Sequence, residues 1–193
     1  MFDLVIIGAG PAGISAAYEA KKHGLDYLVI EKGFIANTVY HYPVGLTVFS
    51  TTNELEFNEG DLKPAREKPT REELLSYYVR FVLDNDLNVR TEETVVEVRN
   101  ADRGVRSEEN AEAHTFVSAK QRTESHIFQV LTDKAEYEAL NVLVAIGAMD
   151  YPRKLNVPGE NLPKVHDHFR ETYPWVKKRA LIVGGGNSAG EAA

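Results

Sequence analysis

Phe2-Asp3-Leu4-Val5-Ile6-Ile7-Gly8-Ala9-Gly10-Pro11-Ala12-Gly13 decides the reading of this chain. The apolar run is of strand length, and the glycines sit where a strand would turn into a helix. Gly8 permits the tight turn, Gly10 lets a ligand approach the backbone, and Gly13 lets helix and strand pack closely. Pro11 suits the first helical turn, where its missing N–H would have no partner anyway. The helix is expected to run from Ala12 to about His23. Ile14, Ala17, Tyr18 and Ala20 are available to face a sheet, and Gly24 is a C-terminal cap.

A second strand, Tyr27-Leu28-Val29-Ile30, ends in Glu31, 18 residues after Gly13. A glycine turn feeding a helix N-terminus aims backbone N–H groups and a helix dipole at a pyrophosphate, and an acid at this distance takes ribose hydroxyls. A lone glycine turn is weak evidence; strand, turn, helix, strand and acid in this order are specific. A second turn, Gly184-Gly185-Gly186-Asn187-Ser188-Ala189, comes 176 residues later. It follows Ala180-Leu181-Ile182-Val183, expected as a strand, and opens a helical pattern. Two such units suggest two dinucleotides, and so electron transfer between them.

At 193 residues the chain has room for one medium domain or one and a half small ones. Hydrophobic residues make up 43%, enough for a core, and charged residues 26%, ordinary for a soluble globular protein. A net charge of −7 without a basic stripe argues against a nucleic-acid partner. No apolar run approaches the ~20 residues of a membrane span, and none is expected. A strand is expected to begin at Phe2, and with it no signal peptide is expected before the fold. The absence of cysteine excludes a disulfide framework, a thiolate-metal site or an in-chain redox dithiol. A cytoplasmic setting is the default expectation.

Lys32 to Pro69 reads as a long irregular stretch, and its aromatics, hydroxyls and amide favour a ligand-facing loop. Thr70 and Glu73 form a capping box for a helix carrying Leu74, Leu75, Tyr78, Phe81 and Val82 at core spacing and stopping near Asp84-Asn85. Leu87-Asn88-Val89 and Thr94-Val95-Val96-Glu97-Val98 read as short strands. Ala101 to Ser125 reads as a solvated excursion of a β-meander, with Thr115-Phe116-Val117 a candidate strand. Ile127 to Leu131 and Tyr137 to Leu140 alternate as antiparallel strands. Val142 to Ile146 is continuously apolar, as expected of a strand buried on both faces. A domain boundary is expected near residue 150, dividing 1–150 from 151–193. His166 and His168 lack further metal ligands at recognisable spacing and read as surface histidines; no metal is expected.

Together the first turn with its acid, the long loop, Ala145-Ile146-Gly147, the Pro152-Arg153 and Val157-Pro158-Gly159-Glu160 crossing and the second turn resemble the thioredoxin-reductase-like two-dinucleotide flavoproteins. Asn37-Thr38-Val39-Tyr40-His41-Tyr42-Pro43, Phe49-Ser50-Thr51, Lys68-Pro69-Thr70-Arg71 and Asn187 to Ala193 are most similar to the bacillithiol-disulfide-reductase-like (YpdA-type) branch. The resemblance implies an α/β fold: a Rossmann-like FAD-binding domain with parallel sheet and β-meander, then the start of a second Rossmann domain for NADPH. It implies that Gly8, Gly10 and Gly13, with Pro11 and Ala12 of the same turn, hold the FAD pyrophosphate and Glu31 the ribose. Lys32, Asn37 and Thr38 would lie near the adenosine half or the flavin. The Val95 backbone would meet the adenine, and Ala145 and Gly147 would close over the cofactor. Gly184, Gly186, Asn187, Ser188 and Ala189 would meet the NADPH pyrophosphate.

The activity so implied is that of an NAD(P)H-dependent flavin oxidoreductase of the pyridine-nucleotide disulfide reductase type, passing hydride from NADPH to flavin and on to a small disulfide or other acceptor. A homodimer is compatible with it. Two departures stand out. Thioredoxin reductases carry a CxxC in the NADPH domain, and this chain has no cysteine; bacillithiol-type enzymes commonly have cysteine in the first turn, where Ala12 stands here. The second unit stops within its first helical turns, so the chain is expected to be part of a longer protein with on the order of 100 residues or more beyond it. No side chain stands out as acid, base or nucleophile. The alternatives are a flavin-dependent monooxygenase, whose histidine-bearing signature Val165-His166-Asp167 faintly resembles, and, for this stretch of chain by itself, an inactive, non-catalytic FAD-binding module.

Overall fold

The computed structural model describes residues 1–101, 127–149 and 154–193. They divide into two units: Met1–Asn37 with Tyr78–Gly147, and Thr38–Tyr77 with Ala148–Ala193.

In the first unit the apolar runs become a parallel sheet. Strand β1 (Leu4–Ile7) pairs with β2 (Tyr27–Ile30) in a register that sets Ile7 opposite Ile30. Helix α1 (Pro11–Lys22) joins them and buries Gly13, Ile14, Ala17 and Ala20. Tyr18 is only half-buried; its ring meets Phe81 edge-on at 4.9 Å. The helix ends as its glycine requires. Gly24 has φ +69°, its N–H donates to the Lys21 carbonyl, and Leu25 N–H donates to Ala20, a Schellman motif.

Short helices α2 (Asn37–Tyr40) and α3 (Thr52–Leu55) precede the longer α4 (Arg71–Asp84), whose residues belong to both units. The capping box of α4 forms as expected: Thr70 N–H donates to the Glu73 carboxylate at 2.8 Å, and Glu73 N–H donates to Thr70 Oγ1 at 3.2 Å. Leu74, Tyr78, Phe81 and Val82 are buried, as their spacing demanded, while Leu75 of the same expected stripe is only half-buried.

Strand β3 (Val89–Arg90) extends the parallel sheet beyond β2, and β7 (Val142–Val144) adds to the other side of β1, giving the order β3-β2-β1-β7. A separate antiparallel sheet runs β4 (Val95–Asn100), β5 (Phe128–Thr132), β6 (Glu136–Ala139), with a register shift between Val95 and Glu97. Val5, Leu28 and Ile30 of the first sheet share a core with Val130 and Ala139 of the second. The excursion expected over 101–125 and the candidate strand Thr115–Val117 lie almost wholly outside the described residues.

Two strand expectations need correction. Val142 to Ile146 is not a strand buried on both faces: β7 stops at Val144, and Val144 and Ile146 are 65% and 63% exposed. It is the outermost strand beside β1 among the described residues: Val142 still packs against the shared core, but the run beyond it is exposed. Ala180 to Val183 forms no strand, and Leu181 is 88% exposed. A strand needs a neighbour for its backbone donors and acceptors, and none pairs with this run among the described residues.

The second unit orders the long loop with short devices. Helices α2 (Asn37–Tyr40) and α3 (Thr52–Leu55) are single turns. The Glu54 carboxylate accepts the Thr51 N–H at 2.8 Å, an acid three residues after a threonine that was legible in the sequence and not read. A bridge between Thr47 and Thr70 and a bond from Val48 N–H to the Pro69 carbonyl fasten the loop to the start of α4. The second glycine turn leads into α5 (Asn187–Ala192). No helix among the described residues is long and apolar enough to cross a membrane.

Candidate functional site

The chain moves from β1 to β2 to β3 on one side, and β7 enters on the other, so the strand order reverses between β1 and β7. In an open parallel sheet the carboxyl ends of strands at such a switch point form a crevice. Here Gly8 N–H donates to the Ile30 carbonyl at 2.8 Å, and Ala145 N–H donates to Ile7 at 2.8 Å. Gly8, Glu31 and Ala145 thus meet at one end of the sheet.

The three glycines of the turn are not equivalent. Gly8 has φ +107°, and a Cβ there would lie 2.5 Å from the Ala145 carbonyl oxygen. At Gly13 a Cβ would be driven into the Gly8 carbonyl. At Gly10 a Cβ would meet nothing within 4 Å among the described residues. Packing within the fold therefore demands glycine at two positions, while at the third only something outside the fold could. Gly10 is also the extended N-cap of α1, and the first intrahelical bond runs from Ile14 N–H to its carbonyl. The amides of Ala12 and Gly13 precede that bond, so the helix gives them no acceptor, and Pro11 has no N–H to offer. Open space before amides and a helix dipole fits a diphosphate.

Glu31 is buried, at 7% exposure, yet its carboxylate is used twice. Oε2 accepts the Ala9 N–H and Oε1 accepts the Gly33 N–H, both at 2.8 Å. A carboxylate offers about four acceptor sites, so roughly two remain for hydroxyl donors such as those of a ribose. The Ala9 carbonyl in turn accepts the N–H of Ala36, a left-handed residue at φ +54°. Ala9, Gly33 and Ala36 were not singled out from the sequence. Gly33, two residues past the acid, was the available signal, since a Cβ there would lie 2.6 Å from the Asn37 side chain. Asn37 is half-buried and its Oδ1 accepts the Phe34 N–H at 3.3 Å. Lys32 is exposed, and Thr38 continues α2 after Asn37.

Val95 opens β4, pairs with Thr132 and packs on the shared core. Beside it a carboxylate missed in the sequence, Glu93, is 3% exposed. Its Oε1 accepts the hydroxyls of Thr132 and Tyr137, each at 2.7 Å, and Arg90 donates to the Tyr137 oxygen at 2.6 Å. Burial, then the Glu93 hydrogen bond, pushes the Tyr137 phenol above its ordinary pKa. The cluster props the start of β4 against β5. Ala145 is half-buried, whereas Gly147 is exposed with φ +69°. A shallow depression lined by Met1, Phe2, Gln129 and Glu136 to Glu138 lies at the beginning of β1, the end opposite Gly8.

In the second unit Gly184 has φ +141° and Gly186 is the extended N-cap of α5, accepting the N–H groups of Ala189 and Gly190 at 3.1 Å. Asn187 and Ser188 are exposed and Ala189 is half-buried. Turn and helix start are therefore present without the preceding strand. His166 and His168 are exposed; His166 meets Trp175 edge-on, and His168 pairs with Asp167. No group of three or more potential metal ligands occurs among the described residues.

The family model described as pyridine nucleotide-disulphide oxidoreductase matches residues 5–120 and 105–193. Bacilliredoxin reductase Bdr of Bacillus subtilis is 35% identical over 189 residues, which cover 98% of this chain and 52% of that protein. A ferredoxin–NADP reductase of Ignicoccus hospitalis is 28% identical over 193 residues, 100% of this chain and 52% of the relative. The structure of bacillithiol disulfide reductase Bdr (YpdA) from Staphylococcus aureus aligns with a TM-score of 0.82 at 32% identity, over 98% of this chain and 52% of that one. The chain spans about half the length of the curated relatives it matches.

Proposed function

The chain belongs to the pyridine nucleotide-disulphide oxidoreductase family, and we propose that it forms the FAD-binding part of an NAD(P)H-dependent flavin oxidoreductase. The observation that carries this reading is the contrast at the first turn: Gly8 and Gly13 are required by internal packing, while Gly10 faces open space beside the first amides of α1. Bound FAD would supply two-electron chemistry, accepting hydride from NADPH and reducing a small disulfide or other acceptor.

The chain's own groups bind and orient. The Ala12 and Gly13 amides and the dipole of α1 would take the diphosphate, with Gly10 giving access and Pro11 fixing the first turn. Glu31 would accept the ribose hydroxyls while its other lone pairs keep Ala9 and Gly33 in place. Asn37, Thr38 and Lys32 would flank the adenosine half or the flavin, the Val95 backbone the adenine, and Ala145 and Gly147 the cofactor's open side. Gly184, Gly186, Asn187, Ser188 and Ala189 would receive the NADPH diphosphate. On this reading 1–150 is the FAD domain and 151–193 opens the NADPH domain. A cytoplasmic setting, a small-molecule acceptor and a homodimer belong to the same reading. The names of the Bdr and ferredoxin–NADP reductase relatives support it.

Gel filtration of the purified chain after saturation with FAD tests the binding half: flavin should co-elute with the protein. A colourless protein peak would sink the proposal. Anaerobic addition of NADPH to the loaded protein tests the redox half. Bleaching would support it, and flavin that stays oxidised under excess NADPH would leave this chain by itself a non-catalytic FAD-binding module.

A further inference from the structure

Tyr40 ends α2, and side chains from two other segments of its unit meet there. Arg71, the first residue of α4, is 8% exposed. Its Nη2 donates to the Tyr40 carbonyl at 2.5 Å and its Nη1 to Glu72 at 3.0 Å. Its guanidinium lies 5.5 Å from the Tyr40 ring centroid, and its Nε has no partner among the described residues. Arg170 brings a second guanidinium to 5.0 Å from the same centroid, and the Arg170 carbonyl accepts the Val44 N–H at 2.7 Å. One ring therefore carries two cations drawn from positions far apart in sequence.

Their charges are unequally balanced. Burial works against the Glu72 carboxylate, but the Gly45 N–H and Arg71 outweigh it and hold its pKa below the usual range, so it stays charged and offsets Arg71. Arg170 has Glu171 beside it in sequence, but both are exposed and their attraction is screened by solvent. Arg170 turns to the Tyr40 phenol instead. Its hydrogen bond, then its charge, holds that phenol below its ordinary pKa, against a small opposing effect of burial and with a further lowering by Arg71. A cation donating to a phenol oxygen polarises its O–H and makes the hydroxyl a stronger donor to a third group. The planar fork of an arginine also matches the oxygens of a carboxylate or phosphate.

We propose that Arg170 and Tyr40, with Arg71 as the buried fixed charge, form a subsite for one carboxylate or phosphate group of a small ligand. Arg170 supplies the fork and the Tyr40 hydroxyl a second donor. The subsite does not depend on the flavin assignment, because none of its groups belongs to the glycine turn.

Calorimetric titration of the purified chain with inorganic phosphate, and separately with malonate, tests it. Saturable binding of at least one anion is expected. Arg170→Met should weaken it roughly tenfold or more, a charge-assisted pair being lost, and Tyr40→Phe should weaken it less. Arg170→Lys should keep part of the affinity, and Arg99→Met, an exposed site on β4, should leave it unchanged. Tyrosinate absorbance, read as the difference between the parent and Tyr40→Phe, gives a second readout. An anion at the subsite disfavours the phenolate, so the Tyr40 midpoint should rise when it is bound. Tighter phosphate identifies a phosphoryl ligand and tighter malonate a carboxylate ligand, and either supports the subsite. If neither anion binds, or if binding survives both Arg170→Met and Tyr40→Phe in variants that circular dichroism shows folded, the proposal is wrong.

Discussion

The Glu31 carboxylate accepts the backbone N–H of Ala9 at 2.8 Å, tying the end of β2 to the glycine turn across 22 residues of sequence. The same side chain, through its other oxygen, holds Gly33. The acid proposed to take a ribose is therefore also part of the frame that shapes the turn, so the proposed role and the structural one must be separated by experiment.

Glu31→Ala should weaken FAD retention, and it should also destabilise the protein by about 1–3 kcal/mol, since two amides lose a buried acceptor. The variant is expected to remain folded. Retained flavin absorbance after gel filtration and the thermal midpoint, measured together, check both halves. Unchanged retention would show that Glu31 serves the frame alone.

Gly10→Ala and Gly13→Ala should behave oppositely. The added methyl of Gly10→Ala would meet nothing within 4 Å among the described residues beyond its chain neighbours, so the thermal midpoint of the apo-protein should scarcely move while FAD affinity falls. Gly13→Ala drives a methyl group into the Gly8 carbonyl and should cost about 1–3 kcal/mol or more through overpacking. Equal losses of apo stability in the two would remove the argument for a ligand beside Gly10.

The capping box of α4 gives a pH-dependent prediction. Hydrogen bonds from the Thr70 and Ala65 amides hold the Glu73 pKa below the usual carboxylate range. Its contribution is then complete above the unfolded-state pKa and is lost as the pH falls through the lower folded-state value. Glu73→Gln should flatten the acid limb of the stability profile and leave its alkaline limb alone. Thr70→Ala should cost about 0.5–2 kcal/mol at neutral pH. Urea unfolding over a pH series measures both.

Strand position can be tested with one substitution made twice. Val144→Thr, on exposed β7, should change stability by about 0.5 kcal/mol or less. Val29→Thr, fully buried in β2, should cost about 1–3 kcal/mol because it buries a hydroxyl. Similar costs at the two sites would mean that β7 is covered in solution.

Much of the structure around the first glycine turn and of α4 was legible in the sequence because its information is local. The turn from Gly8 to Gly13, the Schellman end of α1 at Gly24 and the Thr70-Glu73 box each lie within a few residues, and helical hydrogen bonds join residues four apart. Position relative to distant strands was not legible. Val142 to Ile146 has the composition of a central strand, and Ala180 to Val183 that of a strand at all, but composition does not say who the neighbours are.

By itself, then, the sequence determined β1, the turn, α1, β2 and the acid, together with the helix boundaries and the residues of α4 that are buried. Only the tertiary structure decided that β7 lies at an edge, that Glu31 clamps Ala9 and Gly33, that Glu93 is buried among hydroxyls, and that Arg71 and Arg170 meet at Tyr40. Each of these joins segments separated by tens of residues or places a strand among distant partners. Such pairings are chosen by packing and backbone satisfaction across the whole unit, and no local run of side chains encodes them.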